Sequence, residues 1–399
     1  MKSARRLALA IAPGTLLAGI AGGIVFPIFP IVGDRVGLSR PFIGAILAAN
    51  RAVRIVAAPL AGMLADRIGA RRTLLIGLAL QIVVIGLYVA GMATHHEGAG
   101  FLAGRLLHGP GSAFVFVAAQ ALALEAGEGG NTGETAGTVR VAIVLGIPLG
   151  FAIGGVLADS IGDLMTFVVA GGAVTAAFIA ASFTVPDLRP SVPQRGSAWK
   201  TLREIRDRRL LAVGGLNFAL AFAAGGMVLT TLALLVDDRH LHLFGRSAEG
   251  TSGMLMGIMS IVDAAFTPFA GRLGDRLHAH GRVAAGSLAV VSIGLVVIGL
   301  ASGTPGLAIG IAIVGFGSAG LGPSVLVLLG AIVPRDRLGT GAGVLQLCAD
   351  VGGMLGPIVG TSIIATNSEL AYTITAALVA CFIPAAIWLQ RFERAPVTS

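Results

Sequence analysis

The feature that most constrains this chain is a succession of apolar runs, each about 20 residues or longer, enough to cross a bilayer as a helix. Inside lipid every backbone N–H and C=O must find its partner within the protein, so such runs fold as helices or close into barrels. Runs this long, without alternating polar residues, read as helices. Charge supports the same conclusion. Only 12% of the 399 residues are charged, against about 25% in soluble domains, too few to cover a water-facing surface. The net charge of +8 does not mark a nucleic-acid binder, because the basic residues lie in short loops between apolar runs.

The expected fold is an all-α membrane protein of twelve transmembrane helices in two pseudo-symmetric six-helix bundles. The spans fall at about 7–32, 41–65, 72–94, 99–125, 136–158, 164–185, 209–236, 250–271, 282–302, 306–333, 340–366 and 369–391. The basic start of the chain resembles a signal peptide, but its apolar run continues through Val32, beyond the 7–15 residues of a signal core, so it reads as the first span. Of the 28 Lys and Arg, 20 fall on the side of the termini, which predicts cytoplasmic termini. The domains are expected at 1–185 and 209–399. Between them, 186–208 forms a Pro- and Arg-rich cytoplasmic linker, read either as a plain connection or, around Trp199, as an amphipathic surface helix. Both cysteines, Cys348 and Cys381, lie within spans and read as free thiols.

The halves repeat. "GMLADRIGARR" after the second span is answered 209 residues later by "GRLGDRLHAHGR". Gly137, Gly146, Gly150 and Gly154 recur, each 206 residues on, as Gly343, Gly352, Gly356 and Gly360. Two six-span repeats are the signature of a secondary transporter that rocks one half against the other. Glycines at such spacing let helix backbones approach closely.

The chain resembles the major facilitator superfamily over essentially its whole length. In the loop after the second span, Gly62, Asp66, Arg67, Gly69 and Arg71 match the family motif, with Ala70 where a basic residue is usual. "RLLHGPGSA" resembles the fourth-span motif built on an arginine, here Arg105. Gly137, Gly146, Gly150, Gly154 and Gly155 match the fifth-span antiporter motif, with Phe151 at the usual proline and Pro148 a turn earlier. "FPIFPIV" resembles the paired prolines of the twelve-span drug:proton antiporter branch. The resemblance implies alternating access, and a conformational latch at Gly62, Asp66, Arg67 and Arg71, with Asp275 in the repeat. In the family the partner of that aspartate is the start of the eleventh helix, here Arg337 to Gly343. A contact between a carboxylate and a helix N-terminus is worth about 0.3–1 kcal/mol, small enough to break in each cycle.

Charges within the spans supply the candidate substrate-binding or coupling residues: Asn50, Arg51, Arg54, Arg105, Asn217, Asp263, Gln346 and Asp350. Counted from the membrane surface, Arg54 lies about 12 Å deep, Arg51 about 16 Å and Asp350 about 13 Å. Arg54 and Asp263 occupy equivalent places in the two repeats with opposite charge. Buried arginine stays protonated, so Asp263 and Asp350 either titrate or serve as fixed counter-ions, and both readings stay open. Arg51 and Arg54, with Asn50, offer a donor patch for a carboxylate or phosphate, unless they pair only with the acids. Arg105 and His108 lie toward the outer side, and His108 reads best as a histidine bonded within the bundle. Gln120 reads as lining the cavity or bonding between helices.

These features point to a proton-coupled exporter of a small organic molecule, anionic or amphipathic, energised by the proton gradient with no cofactor. A symporter or lipid-like flippase on the same scaffold, or a sensor without flux, are the alternatives. An enzyme is not expected, since no nucleophile–base pair or phosphate loop stands out. His95 and His96 lack neighbouring ligands, so no metal site is expected. The partners are the substrate and the lipid bilayer, with no nucleic acid. The chain is expected to work as a monomer in a bacterial inner membrane.

Overall fold

The structure, a computed structural model, describes residues 2–125, 132–185, 207–334 and 337–393; within these, the side chains of 2–10, 123–144 and 339 are not described. Among the described residues the chain is helical throughout and contains no strand. The helices are α1 (Lys2–Arg35), α2 (Arg40–Ile68), α3 (Ala70–Ala93), α4 (Glu97–Glu125), α5 (Thr132–Ile161) and α6 (Asp163–Thr184). They continue as α7 (Arg208–Asp238), α8 (Ala248–Leu277), α9 (His280–Leu300), α10 (Thr304–Ile332), α11 (Leu338–Ile364) and α12 (Ser368–Glu393). Eleven of them are long and apolar enough to cross a membrane, and α5 adds the shorter apolar stretch Leu145–Ile161. The linker 186–206, including Trp199, and the acidic loop 126–131 lie outside the described residues.

Local chemistry sets the ends. Pro41 and Pro305 occupy the first turns of α2 and α10, where a missing N–H costs nothing. Asp207 and Asn367 cap α7 and α12 by accepting from the backbone N–H of Arg209 and Leu370. Two helices depart from the uninterrupted spans expected from sequence. In α7, Ala221–Val228 winds as a π-helix around the pair Gly225–Gly226, a site where the backbone carries no Cβ to resist rewinding. In α12, the helix breaks between Ala380 and Ile383, just before Pro384, which lacks an N–H to continue the ladder.

The chain divides into two compact units, one of Met1–Arg195 with Phe244–Met254, the other of Gly196–Leu243 with Leu255–Ser399. In the first, α5 lies against α1 through glycines. A Cβ on Gly146 would stand 2.9 Å from the Gly19 Cα, and one on Gly150 would stand 2.9 Å from the Gly23 Cα. Real Cβ atoms do not approach so closely, so only glycine permits this contact. One cluster of the core is rich in aromatic and β-branched residues, and another in alanine and leucine. Phe101 stacks on Phe29 at 4.2 Å and on Tyr88 at 4.7 Å, with Phe167 edge-on to both Tyr88 and Phe101 at 5.5 Å.

In the second unit, α11 meets α7 in the same manner. A Cβ on Gly356 would stand 2.8 Å from the Gly226 Cα, inside the π-helical segment, and one on Gly352 would stand 3.0 Å from the Phe222 N. The pair Gly226–Gly356 thus answers Gly23–Gly150. The repeat also shows in how the second helix of each unit meets the fourth: Gly109 abuts the Asn50 carbonyl, and Gly315 abuts the Met259 carbonyl. Arg239 ties three ends together, donating to the carbonyls of Gly299 and Ala301 and to the Ser368 Oγ.

Candidate functional site

The first unit gathers its polar groups where α2, α3 and α4 meet. Gly109 on α4 lets that helix approach the α2 backbone between Asn50 and Arg54. This approach brings Arg105, one turn earlier on α4, against the same stretch. Its guanidinium is fully buried, and Nη2 donates to the Leu47 carbonyl at 2.8 Å and to Asn50 Oδ1 at 3.0 Å. The Phe26 ring lies 5.3 Å from the guanidinium carbon, a cation–π contact in a desolvated setting. No carboxylate touches Arg105 among the described residues; the buried Tyr88 hydroxyl is the polar group that acts on its guanidinium. Neither that hydroxyl nor the Arg105 Nε completes a hydrogen bond of good geometry among the described residues.

Arg105 therefore belongs with the Asn50 patch, which the sequence treated as separate. The 55 residues between them hide the link; the signal that could have revealed it is Gly109, one turn after the arginine. His108 is buried beside Gly22 and makes no hydrogen bond among the described residues. The charges of Arg51, Arg54 and Arg105 all act on its ring. Arg51 and Arg54 are half-exposed. The first unit thus concentrates three cations around one imidazole ring.

The acids lie in the second unit. Asp350 on α11 is buried and accepts from Gln346 Nε2 at 3.3 Å, one turn earlier. Asn217 on α7 donates to the Leu345 carbonyl at 2.9 Å, joining α7 to the same turn of α11. Gln346, Asp350 and Asn217 are therefore one neighbourhood. Asp263 on α8 stands apart from them, half-buried, with Thr267 a turn later donating to its backbone carbonyl at 2.7 Å. Among the described residues of its own unit its carboxylate meets no cation.

The motif after the second span is built differently in the two repeats. Gly69 turns the chain at a φ of 92°, and its counterpart His278 does so at 48°, left-handed conformations that glycine adopts without cost and other residues rarely take. Arg71 donates to the Ser182 carbonyl, fastening α3 to the end of α6. Its counterpart His280, buried, bonds instead to Asp275 at 3.0 Å. Asp66 and Arg67 are exposed, and a Cβ on Gly62 would meet nothing within 4 Å.

Of the antiporter-motif glycines, Gly146, Gly150 and Gly154 face α1 and Gly155 faces the Gly253 Cα of the same unit. Gly352 and Gly356 face α7. The packing around Gly137 falls in the undescribed part of α5.

Sequence reasoning missed a set of ion pairs at the opposite end of the first unit from the Asp66 motif. Arg35 binds Glu249 at 2.7 Å and Asp163 at 3.2 Å, and Arg246 binds Asp159 at 2.8 Å. Asp163 and Glu249 both sit in the first turn of a helix, where the helix dipole favours a negative charge; that placement was legible. No cluster of three or more metal-ligating side chains occurs among the described residues.

Apolar helices of membrane length, a paired glycine architecture repeated in two units and charged groups held within the spans define an integral membrane transporter. The Major Facilitator Superfamily model matches residues 11–248 and 244–399, and the chain belongs to that family. It is 24% identical over 369 residues to a protein named multi-drug resistance efflux pump PmrA homolog from Lactococcus lactis, covering 88% of this chain and 86% of that one. It is 26% identical over 382 residues to the multidrug resistance protein MdtG of Yersinia enterocolitica, covering 92% and 89%. Among solved structures, the nucleoside transporter NupG superposes with a TM-score of 0.76 at 13% identity, over 96% of this chain and 98% of that one. At that identity the likeness speaks for the fold. The chain is a transporter and not an enzyme.

Proposed function

We propose that this transporter is a proton-coupled exporter that exchanges protons for a small organic molecule by alternating access. The observation that carries the reading is Asp263, a half-buried carboxylate in the middle of an apolar helix that meets no cation among the described residues of its own unit. An ionisable group so placed in a span is costly to keep and usually marks a pathway. It is suited to taking up a proton on one side of the membrane and losing it on the other as its surroundings change. Asp350, bonded to Gln346 next to the α7–α11 glycine contact, is the second proton carrier in this reading. The names of the PmrA and MdtG relatives support export of drug-like molecules as the direction. The excess of basic residues on the side of the termini supports cytoplasmic termini, and the bacterial relatives support an inner-membrane location.

The test uses everted membrane vesicles with an acidic lumen, a trapped fluorescent reporter of the proton gradient and a panel of anionic, cationic and amphipathic compounds. An antiporter dissipates the gradient when its substrate is added outside; a symporter of the opposite orientation does not. Asp263→Asn is expected to abolish the response. A wild-type response in an Asp263→Asn/Asp350→Asn double variant removes the proposed carriers, and a compound bound without any flux identifies a sensor.

A further inference from the structure

In the first unit, α2 lies directly along α4. Its counterpart α8 departs from α10 beyond the Gly315–Met259 contact, and a cleft of about 520 Å³ opens between α8, α9 and α10. The volume falls within the range of small-molecule pockets. Its walls are apolar: Phe266, Phe269 and Leu273 from α8 face Phe316 from α10, with Phe316 edge-on to Phe266 at 4.9 Å. The α8 side is open, with Phe269 63% and Leu273 51% exposed. In a helix that crosses a membrane, apolar groups this exposed require an apolar neighbour.

One end of the cleft is different. Arg282, in the first turn of α9, lines it there, at the end of the unit where Gln390 and Glu393 of α12 hold the start of α9. Glu393 accepts from the Gly281 N–H and Gln390 from the Arg282 N–H, so the backbone donors of that turn are already taken. The Arg282 side chain is exposed, and its guanidinium has neither hydrogen bond nor ion pair among the described residues. An apolar groove running along the spans and ending in one cation at the helix terminus has the amphipathic pattern of a lipid with an anionic headgroup.

We propose that the α8–α9–α10 cleft is a binding site for an anionic phospholipid, with an acyl chain lying between Phe269 and Phe316 and the phosphate on Arg282. This site is separate from the transport residues and does not depend on proton coupling. It provides α8, the helix that carries Asp263, with a neighbour that the described residues of its own unit do not supply along this stretch.

Gly286 makes the proposal testable. It lines the cleft, and a Cβ there would meet nothing within 4 Å, so Gly286→Leu fills the groove without displacing backbone. The full-length protein is purified in detergent, and bound lipid is counted by native mass spectrometry with phosphatidylglycerol, phosphatidylcholine of the same chains, or glycerol phosphate. The wild type is expected to retain phosphatidylglycerol about fivefold better than phosphatidylcholine, the effect of one arginine at an anionic surface, and to retain no glycerol phosphate. Arg282→Gln, at an exposed side chain, should abolish the preference, and Gly286→Leu should abolish retention of both lipids. Equal retention of the two lipids by the wild type, an unchanged preference in both variants, or glycerol phosphate bound as well as the lipid would each overturn the proposal.

Discussion

Arg105 on α4 and Asn50 on α2 share a hydrogen bond of 3.0 Å inside the first unit, the guanidinium fully buried and, among the described residues, without a carboxylate in contact. A permanent cation in such a place needs compensation from neutral dipoles. The Leu47 carbonyl, the Asn50 side chain and the face of Phe26 supply it. The bond from Arg105 also fixes the Asn50 amide, so Asn50 orients one partner of the mid-span charges as well as lying beside them.

Removing that acceptor should be felt in stability. Hydrogen bonds to charged groups contribute about 1.5–3 kcal/mol, and Asn50→Ala removes one of the two hydrogen bonds from Arg105 Nη2, leaving the one to the Leu47 carbonyl. Thermal unfolding in detergent is expected to show a loss of this size, and an unchanged midpoint would mean that the bond contributes nothing.

The glycines separate into two kinds, and one substitution distinguishes them. A Cβ at Gly150 would stand 2.9 Å from the Gly23 Cα, backbone that cannot move aside without parting α1 from α5. Gly150→Ala should therefore destabilise by about 1–3 kcal/mol, the usual effect of overpacking. Gly62 has nothing within 4 Å of its Cβ position, so Gly62→Ala should be neutral or gain up to about 1 kcal/mol of helix propensity. The measurement is the unfolding midpoint of each variant; equal effects would show that the close contact does not hold the helices.

The glycine ladder was legible because its signal is local: spacing along one helix, repeated 206 residues on, predicts a close approach without naming the partner. The partners were not legible. That α5 meets α1 at Gly19 and Gly23, or that Arg105 reaches Asn50, depends on which helices become neighbours, and apolar periodicity does not encode it. The span positions followed from hydropathy, yet the π-helical turn of α7 did not, since Gly225–Gly226 permits rewinding without requiring it. The break in α12 had a visible cause in Pro384, overlooked because proline is common inside membrane helices, as Pro59, Pro110 and Pro268 show here.

Asp207 makes a prediction about acid. It caps α7 just outside the span, where burial pushes its carboxyl upward but the bonds from the Arg209 side chain and backbone outweigh this and hold it below the usual range. A depressed carboxyl stabilises the fold above its unfolded value, about 3.9, and that stability is lost as pH falls through the lower folded value. The side chain is 39% exposed, so solvent screening keeps the effect near the low end for a cap, about 0.5 kcal/mol. Asp207→Ala should lower the midpoint at pH 7 and merge with the wild type near pH 2; a deficit that persists undiminished at pH 2 would assign the effect to packing.

The concentration of positive charge on α2 and α4 makes the last prediction. Arg51, Arg54 and Arg105 all act on His108, and Arg105 has no acid in contact among the described residues. A ligand reaching this patch gains more from an anionic group than from a neutral one of the same shape. In a thermal-shift comparison of an organic carboxylate with its amide, the carboxylate should bind about tenfold more tightly, the lower end expected for a hydrogen bond to a charged group. Arg54→Gln, which keeps an amide donor on a shorter side chain but loses the charge, should narrow that difference. Raised salt should narrow it less than it would at an exposed site, because screening reaches partly buried charges poorly. If the amide binds as well as the carboxylate, or if Arg54→Gln leaves the preference intact, the patch serves the protein's own charges and the transported molecule is held elsewhere.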